Sequence, residues 1–223
     1  MATTTTFTTL TSDMQNYLER GYPEDTTTNA QIPRLINLAE RAIATKLKIQ
    51  GFLKNVVSVP PSGGLAAGVT VYAKPDRWRE TVSMNFGSGT NNNTRNPLFA
   101  RSYDYCRNYW PDSSVQDATQ PPQFYADYNY SWWLIVPTPP ANFPWEINYY
   151  EQPALLGQDV QTNWLSLYAP NMLLYRCLLE MEMFLKNDER IAVWTTAYEE
   201  QISDTTGQDL QKIVDRESVR SKP

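Results

Sequence analysis

The sequence predicts an α+β fold: a helical bundle from N- and C-terminal helices, a central, mostly antiparallel β-sheet insertion, and an extended C-terminal tail. Apolar residues recur with helical spacing in the first and last thirds of the chain. The middle consists of short β-branched and aromatic segments separated by Pro, Gly and Asn, and the final residues are mostly polar. We therefore predict one α+β domain over residues 1–206 and a C-terminal arm over residues 207–223.

Two amphipathic helices are predicted near the N-terminus, over about residues 8–20 and 29–50. Thr8 and Asn29 are residue types that cap helices, so each is expected to begin one of them. Pro33 is expected in the first turn of the second helix, where the backbone donors are unpaired in any case. The apolar stripe of that helix consists of Ile32, Leu35, Ile36, Ala39, Ile43 and Leu47.

The β-rich insertion covers about residues 52–150. Its predicted strands are Leu53–Val59, Val69–Tyr72, Arg77–Met84, Phe124–Tyr130, Trp132–Pro137 and Trp145–Tyr150. Residues 86–96 are rich in Gly and Asn and predict a loop. Residues 103–114 match no pattern that assigns a structure or a role.

Two further helices are predicted over about residues 170–186 and 188–204. Pro170 suits the first turn of the earlier helix, and Asn187 or Asp188 can cap the later one. The apolar pattern weakens beyond that point, so the helix is expected to end there and the polar arm to follow.

Composition excludes several classes of function. The 223 residues include no histidine, which rules out Ser-His-Asp and Cys-His catalysis and every histidine-based zinc site. The net charge of −5, with no cluster of Lys and Arg, argues against tight binding of DNA. Cys106 and Cys177 form no metal-ligand spacing and are expected to be free, buried thiols. No apolar run approaches the length of a membrane span, and no signal peptide is recognised.

Candidate catalytic motifs have simpler structural explanations. Gly87–Thr90 spells GSGT but lacks the lysine of a phosphate-binding loop. Glu180 and Glu182 do not share a helix face, and Glu199 and Glu200 are adjacent residues expected in solvent. We therefore predict no enzyme activity, no metal and no cofactor.

Aromatic residues are concentrated in the middle of the chain. They are Tyr103, Tyr105, Tyr109, Trp110, Phe124, Tyr125, Tyr128, Tyr130, Trp132, Trp133, Trp145, Tyr149 and Tyr150. Such side chains form cores and protein interfaces, and they also stack on sugars. Core and subunit interface is the favoured interpretation, and a carbohydrate-binding tail or receptor module is the alternative. A carboxylate-based hydrolase is a third, less supported possibility.

Three segments of the chain resemble, in the same order, the head-to-tail adaptor (connector) proteins of tailed bacteriophages. IPRLINLAERAIATKLKI (32–49) resembles their first long helix. PQFYADYNYSWWLIVPTPPANFPWEINYYEQPALL (122–156) resembles their central sheet, and TNWLSLYAPNMLLYRCLLEMEMFLKNDERIAVW (162–194) resembles their helical hairpin. The sequence departs from the family around residues 91–96 and 103–114.

The resemblance implies a structural virion protein at the head-to-tail interface, assembled in the bacterial host cytoplasm. Similar proteins form a ring, usually of twelve copies, that docks under the portal protein, extends the DNA channel and provides the platform for tail or nozzle proteins. Genomic DNA would pass through without specific binding, and no membrane or cofactor is involved. The C-terminal arm would dock on the portal through Leu210, Lys212, Ile213, Val214, Arg216 and Arg220.

Overall fold

The structure is a computed structural model. It describes the backbone of residues 4–17, 26–87, 94–186 and 188–220, with side chains in these ranges except at residue 188 and from residue 209 onwards. In chain order, the elements are α1 (Phe7–Tyr17), α2 (Thr26–Lys46), a short 3-10 helix (Gln50–Phe52), β1 (Leu53–Ser58), β2 (Val71–Ala73), β3 (Trp78–Phe86), β4 (Asn96–Ala100), α3 (Tyr103–Tyr109), β5 (Phe124–Asp127), β6 (Trp132–Val136), β7 (Trp145–Glu151), α4 (Trp164–Tyr168), α5 (Pro170–Leu185) and α6 (Asp188–Arg220). The predicted α+β class is confirmed.

The chain divides into two compact units. Met1–Phe52 together with Gln152–Pro223 form what we call the helical unit, and Leu53–Glu151 form the sheet unit.

The N-terminal helices begin earlier than predicted. Thr6, not Thr8, caps α1, because the Thr9 N–H donates to Thr6 Oγ1 at 3.1 Å and the Thr6 N–H donates to Thr9 Oγ1 at 2.8 Å. Helix α2 begins at Thr26, so the predicted cap Asn29 lies inside it and its side chain accepts from the Gln15 amide at 3.1 Å. Pro33 consequently lies within α2 rather than in its first turn.

The C-terminal helices differ from the prediction mainly at one boundary. Helix α5 ends at Leu185, and Lys186 closes it in the left-handed conformation with φ 58°. Helix α6 continues to Arg220, beyond the predicted end near residue 204. One glycine, Gly207, costs a helix only about 1 kcal/mol, and the Gln, Leu, Lys and Arg residues around it favour helix. The predicted cap Asn187 lies outside the described residues.

The seven strands form one sheet in the order β1-β7-β3-β4-β5-β6-β2. Every pairing is antiparallel except β4 with β5, which confirms the mostly antiparallel prediction. Strand β4 and helix α3 were not predicted. Each is short and buries very few side chains, namely Leu98 from β4 and Cys106 from α3, so neither produces a detectable apolar period.

The two faces of the sheet carry different cores. The larger core is mainly aromatic and includes Trp133, Trp145, Tyr72 and Phe86, with Trp133 fully buried and in edge contact with Trp78 and Trp145. The opposite face carries a smaller cluster in which Cys106 of α3 packs against Ala126, Leu134 and Val136. The helical unit has an aliphatic core instead. Its buried residues include Leu10, Met14, Ile32, Ile36, Ile43, Leu165, Met172, Leu173, Leu178 and Met181.

Candidate interaction surfaces

An exposed aromatic patch lies where α3 packs on β5 and β6. Tyr105 and Tyr109 are stacked on each other, and both make edge contacts with Phe124 at centroid separations of 5.4 and 5.1 Å. The Arg101 guanidinium lies 5.7 Å from the Tyr105 ring and 5.6 Å from the Phe124 ring. Phe99 stands opposite Phe124 in the strand register and is 54% exposed. Tyr and Arg presented together are typical of protein–protein interfaces.

The hairpin between β5 and β6 carries further exposed aromatic side chains. Tyr128 contacts Tyr103 of α3 at 5.9 Å, and Tyr130 contacts Trp78 at 6.1 Å. Tyr130 is 80% exposed, so the contact with Trp78 leaves most of its surface in solvent. Most of the exposed aromatic side chains that the structure describes fall between residues 99 and 132. Sequence analysis left residues 103–114 without a role, and the fold exposes Tyr103, Tyr105 and Tyr109 there.

A cleft of about 290 Å³ lies beside the hairpin. Its lining comprises Ala73, Lys74, Pro75, Asp76, Arg77, Trp78, Tyr130, Ser131 and Trp132. The Lys74 ammonium sits 3.6 Å from the Trp78 ring centroid and 2.7 Å from Asp127 Oδ1, and its side chain is almost fully buried. Arg77 pairs with Glu151. Both cations are therefore paired within the sheet unit, Lys74 with Asp127 of β5 and Arg77 with Glu151 of β7.

In the helical unit, Trp194 of α6 joins two other helices. Its ring stacks on Tyr175 of α5 at 5.9 Å and meets Tyr17 of α1 edge-on at 5.7 Å. The side chain is half-buried, and the neighbouring Val193 is 61% exposed. Trp194 therefore lies on the packing side of α6, and part of its surface opens into a groove of about 570 Å³.

A buried carboxylate, Glu40, fastens the segment before α4 to α2. Its oxygens accept hydrogen bonds from the Leu156 N–H at 2.9 Å and from the Asn163 side-chain amide. Asn163 also caps α4, exchanging hydrogen bonds with Ser166. Burial raises the pKa of Glu40 to about 7, although the two hydrogen bonds act in the opposite direction. Sequence analysis missed this residue, and the available signal was a charge at an apolar-stripe position, four residues after Ile36.

The residues considered for catalysis are dispersed. Glu180 pairs with Arg176 one turn away, Glu182 is buried on the same helix, and Glu199 and Glu200 are exposed on α6. Most of the Gly87–Thr90 segment lies outside the described residues. Among the residues that are described, no group of three or more Cys, Asp or Glu side chains could hold a metal ion.

Both cysteines are free and buried, as predicted. Burial raises the pKa of the Cys106 thiol and raises that of Cys177 well above its usual value. Thiols in this state are poor nucleophiles. No helix in the described part of the chain is long and apolar enough to cross a membrane.

The predicted portal-docking positions all belong to the last turns of α6. They are Leu210, Lys212, Ile213, Val214, Arg216 and Arg220, and their side chains lie outside the described residues. Their backbone is helical, which replaces the predicted extended arm with a continuation of α6. Whether these side chains meet a partner stays a prediction.

Comparison with known proteins assigns the chain to a family. A search of curated proteins finds no match. The family model described as SU10 adaptor protein matches residues 5–220, which includes both the helical and the sheet unit. This is a family of phage head–tail adaptor proteins, and it supports a structural adaptor role. The chain belongs to the SU10 adaptor protein family.

Proposed function

We propose that this protein is a head-to-tail adaptor that forms a ring beneath the portal, extends the DNA channel and provides the platform for tail attachment. The observation that carries the proposal is the family match over residues 5–220. The exposed aromatic surface of the sheet unit supports it, because an isolated subunit of an assembly leaves its interfaces uncovered. The role needs no catalytic group or cofactor.

DNA would pass through the ring without being held. The chain carries a net charge of −5, and phosphate binding requires clustered cations that neutralise the backbone. We expect binding to duplex DNA no tighter than about 10⁻⁴ to 10⁻⁶ M at physiological salt, the range of non-specific binders. Fluorescence anisotropy measures this, and nanomolar binding would contradict a passive channel.

The central test is electron microscopy of the purified protein mixed with the portal protein of the same phage. We expect rings seated on the portal, and native mass spectrometry should show a monomer or a weakly associating species in its absence. A portal supplies many neighbouring sites and so raises the effective concentration of subunits. Absence of any portal complex would refute the role, and a stable large ring without portal would refute templated assembly.

The C-terminal end of α6 is the proposed portal-docking element. Truncation after Thr206 removes its last turns, including Ile213 and Val214. We expect circular dichroism to lose only the helical signal of those turns, while co-sedimentation with the portal is abolished. The double variant Ile213→Ser/Val214→Ser keeps the helix length and separates loss of apolar contacts from loss of the helix. Normal assembly of the truncated protein would exclude this element as the dock.

A further inference from the structure

Two exposed helix faces of the helical unit carry opposite charges. Between residues 26 and 50 the one acidic residue is Glu40, which is fully buried. The exposed charges of that stretch are Arg34, Arg41, Lys46 and Lys48. On α6, over the part with described side chains, the exposed charges are Glu189, Glu199, Glu200 and Asp204. Lys46 lies over the Tyr198 ring of α6, so Arg34 and Arg41 carry the basic character of the exposed side of α2. The exposed charges of α6 are acidic, and its Arg190 is half-buried.

Each face follows the same spacing along its helix. The α2 face consists of Arg34, Leu38, Arg41 and Thr45, and all four side chains are exposed. The α6 face consists of Glu189, Val193, Thr196 and Glu200, and these four are also exposed. Both sets are separated by 4, 3 and 4 residues, which places each on one side of its helix. Each face also combines charges with one large apolar side chain.

The apolar side chain at the centre of each face is exposed. Leu38 is 43% exposed and Val193 is 61% exposed, so neither apolar group is covered. The described side chains place no carboxylate within ion-pair distance of Arg34 or Arg41. An apolar centre flanked by uncompensated charge is the composition of a polar-rimmed protein interface.

We propose that the α2 face of one copy of this chain packs against the α6 face of the next copy. The inference rests on the ring assembly proposed above and names the surfaces that would form it. Charge complementarity selects a second copy as the occupant, since the acidic face is the counterpart that the basic face lacks. The two faces differ, so the contact is heterologous and can be repeated from copy to copy until the ring closes.

Duplex DNA is the competing occupant of the α2 face. Phosphate binding would use Arg34 and Arg41, but it would leave Leu38 between them exposed to a polar backbone. It would also leave the α6 face without a counterpart. A second copy provides a counterpart for both faces at once. The same substitutions should affect contact between copies and DNA binding differently.

Cross-linking between copies tests the contact directly. Leu38→Cys and Val193→Cys are exposed single-site variants, and the native cysteines are buried. Mixing the two variants with a short bismaleimide should give a covalent dimer containing one of each, both at high concentration and on the portal. Leu38→Cys mixed with Val82→Cys, a residue 50% exposed in the sheet unit, is the control. Cross-linking no better than this control, in both settings, would overturn the proposal.

Charge reversal tests whether opposite charges hold the two faces together. Arg34→Glu/Arg41→Glu in the Leu38→Cys background should lower the cross-linked yield about fivefold, whichever way the two helices run against each other. Glu189→Arg/Glu200→Arg in the Val193→Cys background should do the same. Combining both reversed partners should restore the yield, which a fold defect cannot do. If reversal instead abolishes DNA binding and leaves cross-linking at the control level, the face binds DNA and the proposal fails.

The two proposals can fail separately. Portal complexes without Leu38–Val193 cross-links would retain the adaptor role and refute this interface. Specific cross-links without any portal complex would retain the interface and refute docking on the portal.

Discussion

The helical unit and the sheet unit bury different kinds of side chains. The helical unit buries aliphatic side chains such as Ile36 and Leu173, and its exposed surface separates basic from acidic charge. The sheet unit buries Trp133 and Trp145 and also keeps Tyr105 and Tyr130 at its surface. Aromatic residues therefore form both the core and part of the surface of one unit. Neither the number of aromatic residues nor the composition of the sequence distinguishes the two roles. Only position in the fold does.

Trp133→Ala should produce the largest loss of stability. The side chain is fully buried and touches the rings of Trp78 and Trp145, so its removal leaves a large cavity. We expect the free energy of unfolding to fall by about 3–5 kcal/mol. Urea denaturation followed by circular dichroism measures it. Trp133→Phe should cost clearly less, and equal losses would mean that cavity volume is not the cause.

Glu40 should make the stability of the helical unit depend on pH. Its pKa is about 7 in the fold against 4.5 as the ordinary value. Below pH 4.5 the carboxyl is protonated in both states, so it imposes no penalty. As pH rises to 7, the unfolded state loses the proton first, and the free energy of unfolding should fall by up to about 3 kcal/mol.

Glu40→Gln removes this titration. Denaturation midpoints measured from pH 4.5 to 8 should vary less in Glu40→Gln than in the parent protein. Glu199→Gln, an exposed site on α6, is the matched control and should follow the parent curve. Identical curves for Glu40→Gln and the parent would show that the buried carboxyl does not titrate in this range.

Trp194→Ala should have an intermediate effect. The ring is half-buried and contacts Tyr17 and Tyr175, so two aromatic contacts are lost and a partly open site remains. We expect a loss of about 2 kcal/mol. Thermal melts measure it, with Val193→Ala as the neighbouring exposed control. An unchanged melting temperature would show that Trp194 contributes little to stability and is a surface residue available to a partner.

Tyr130→Ala should have the smallest effect on stability, within about 0.5 kcal/mol, because the ring is 80% exposed. It should nevertheless weaken assembly on the portal if the aromatic surface is an interface. Melting temperature and portal co-sedimentation, measured on the same preparation, separate the two properties. A large loss of stability would place Tyr130 with the core residues and contradict its assignment to the surface of the sheet unit.

Helical periodicity was the most successful predictor. The stripe of α2, including Ile32, Ile36 and Ile43, is buried as the spacing required. Strand β7 was also found, and most of its side chains are buried. Strand β1 was found as well, although its side chains are mostly exposed. The exact helix starts were missed. Thr6 and Thr8 are chemically equivalent as caps of α1, and α2 begins at Thr26, three residues before the expected cap Asn29.

The sequence by itself determined the α+β class, the positions of the main helices, most of the strands, and the family to which the chain belongs. Those properties depend on local propensity, on periodicity and on the order of segments. Tertiary structure alone decided that Glu40 is buried, because its partners Leu156 and Asn163 lie more than one hundred residues away. It also decided which aromatic rings are core and which are surface. The opposite charges of the α2 and α6 faces likewise became apparent only from the structure, since exposure is a property of the packed chain.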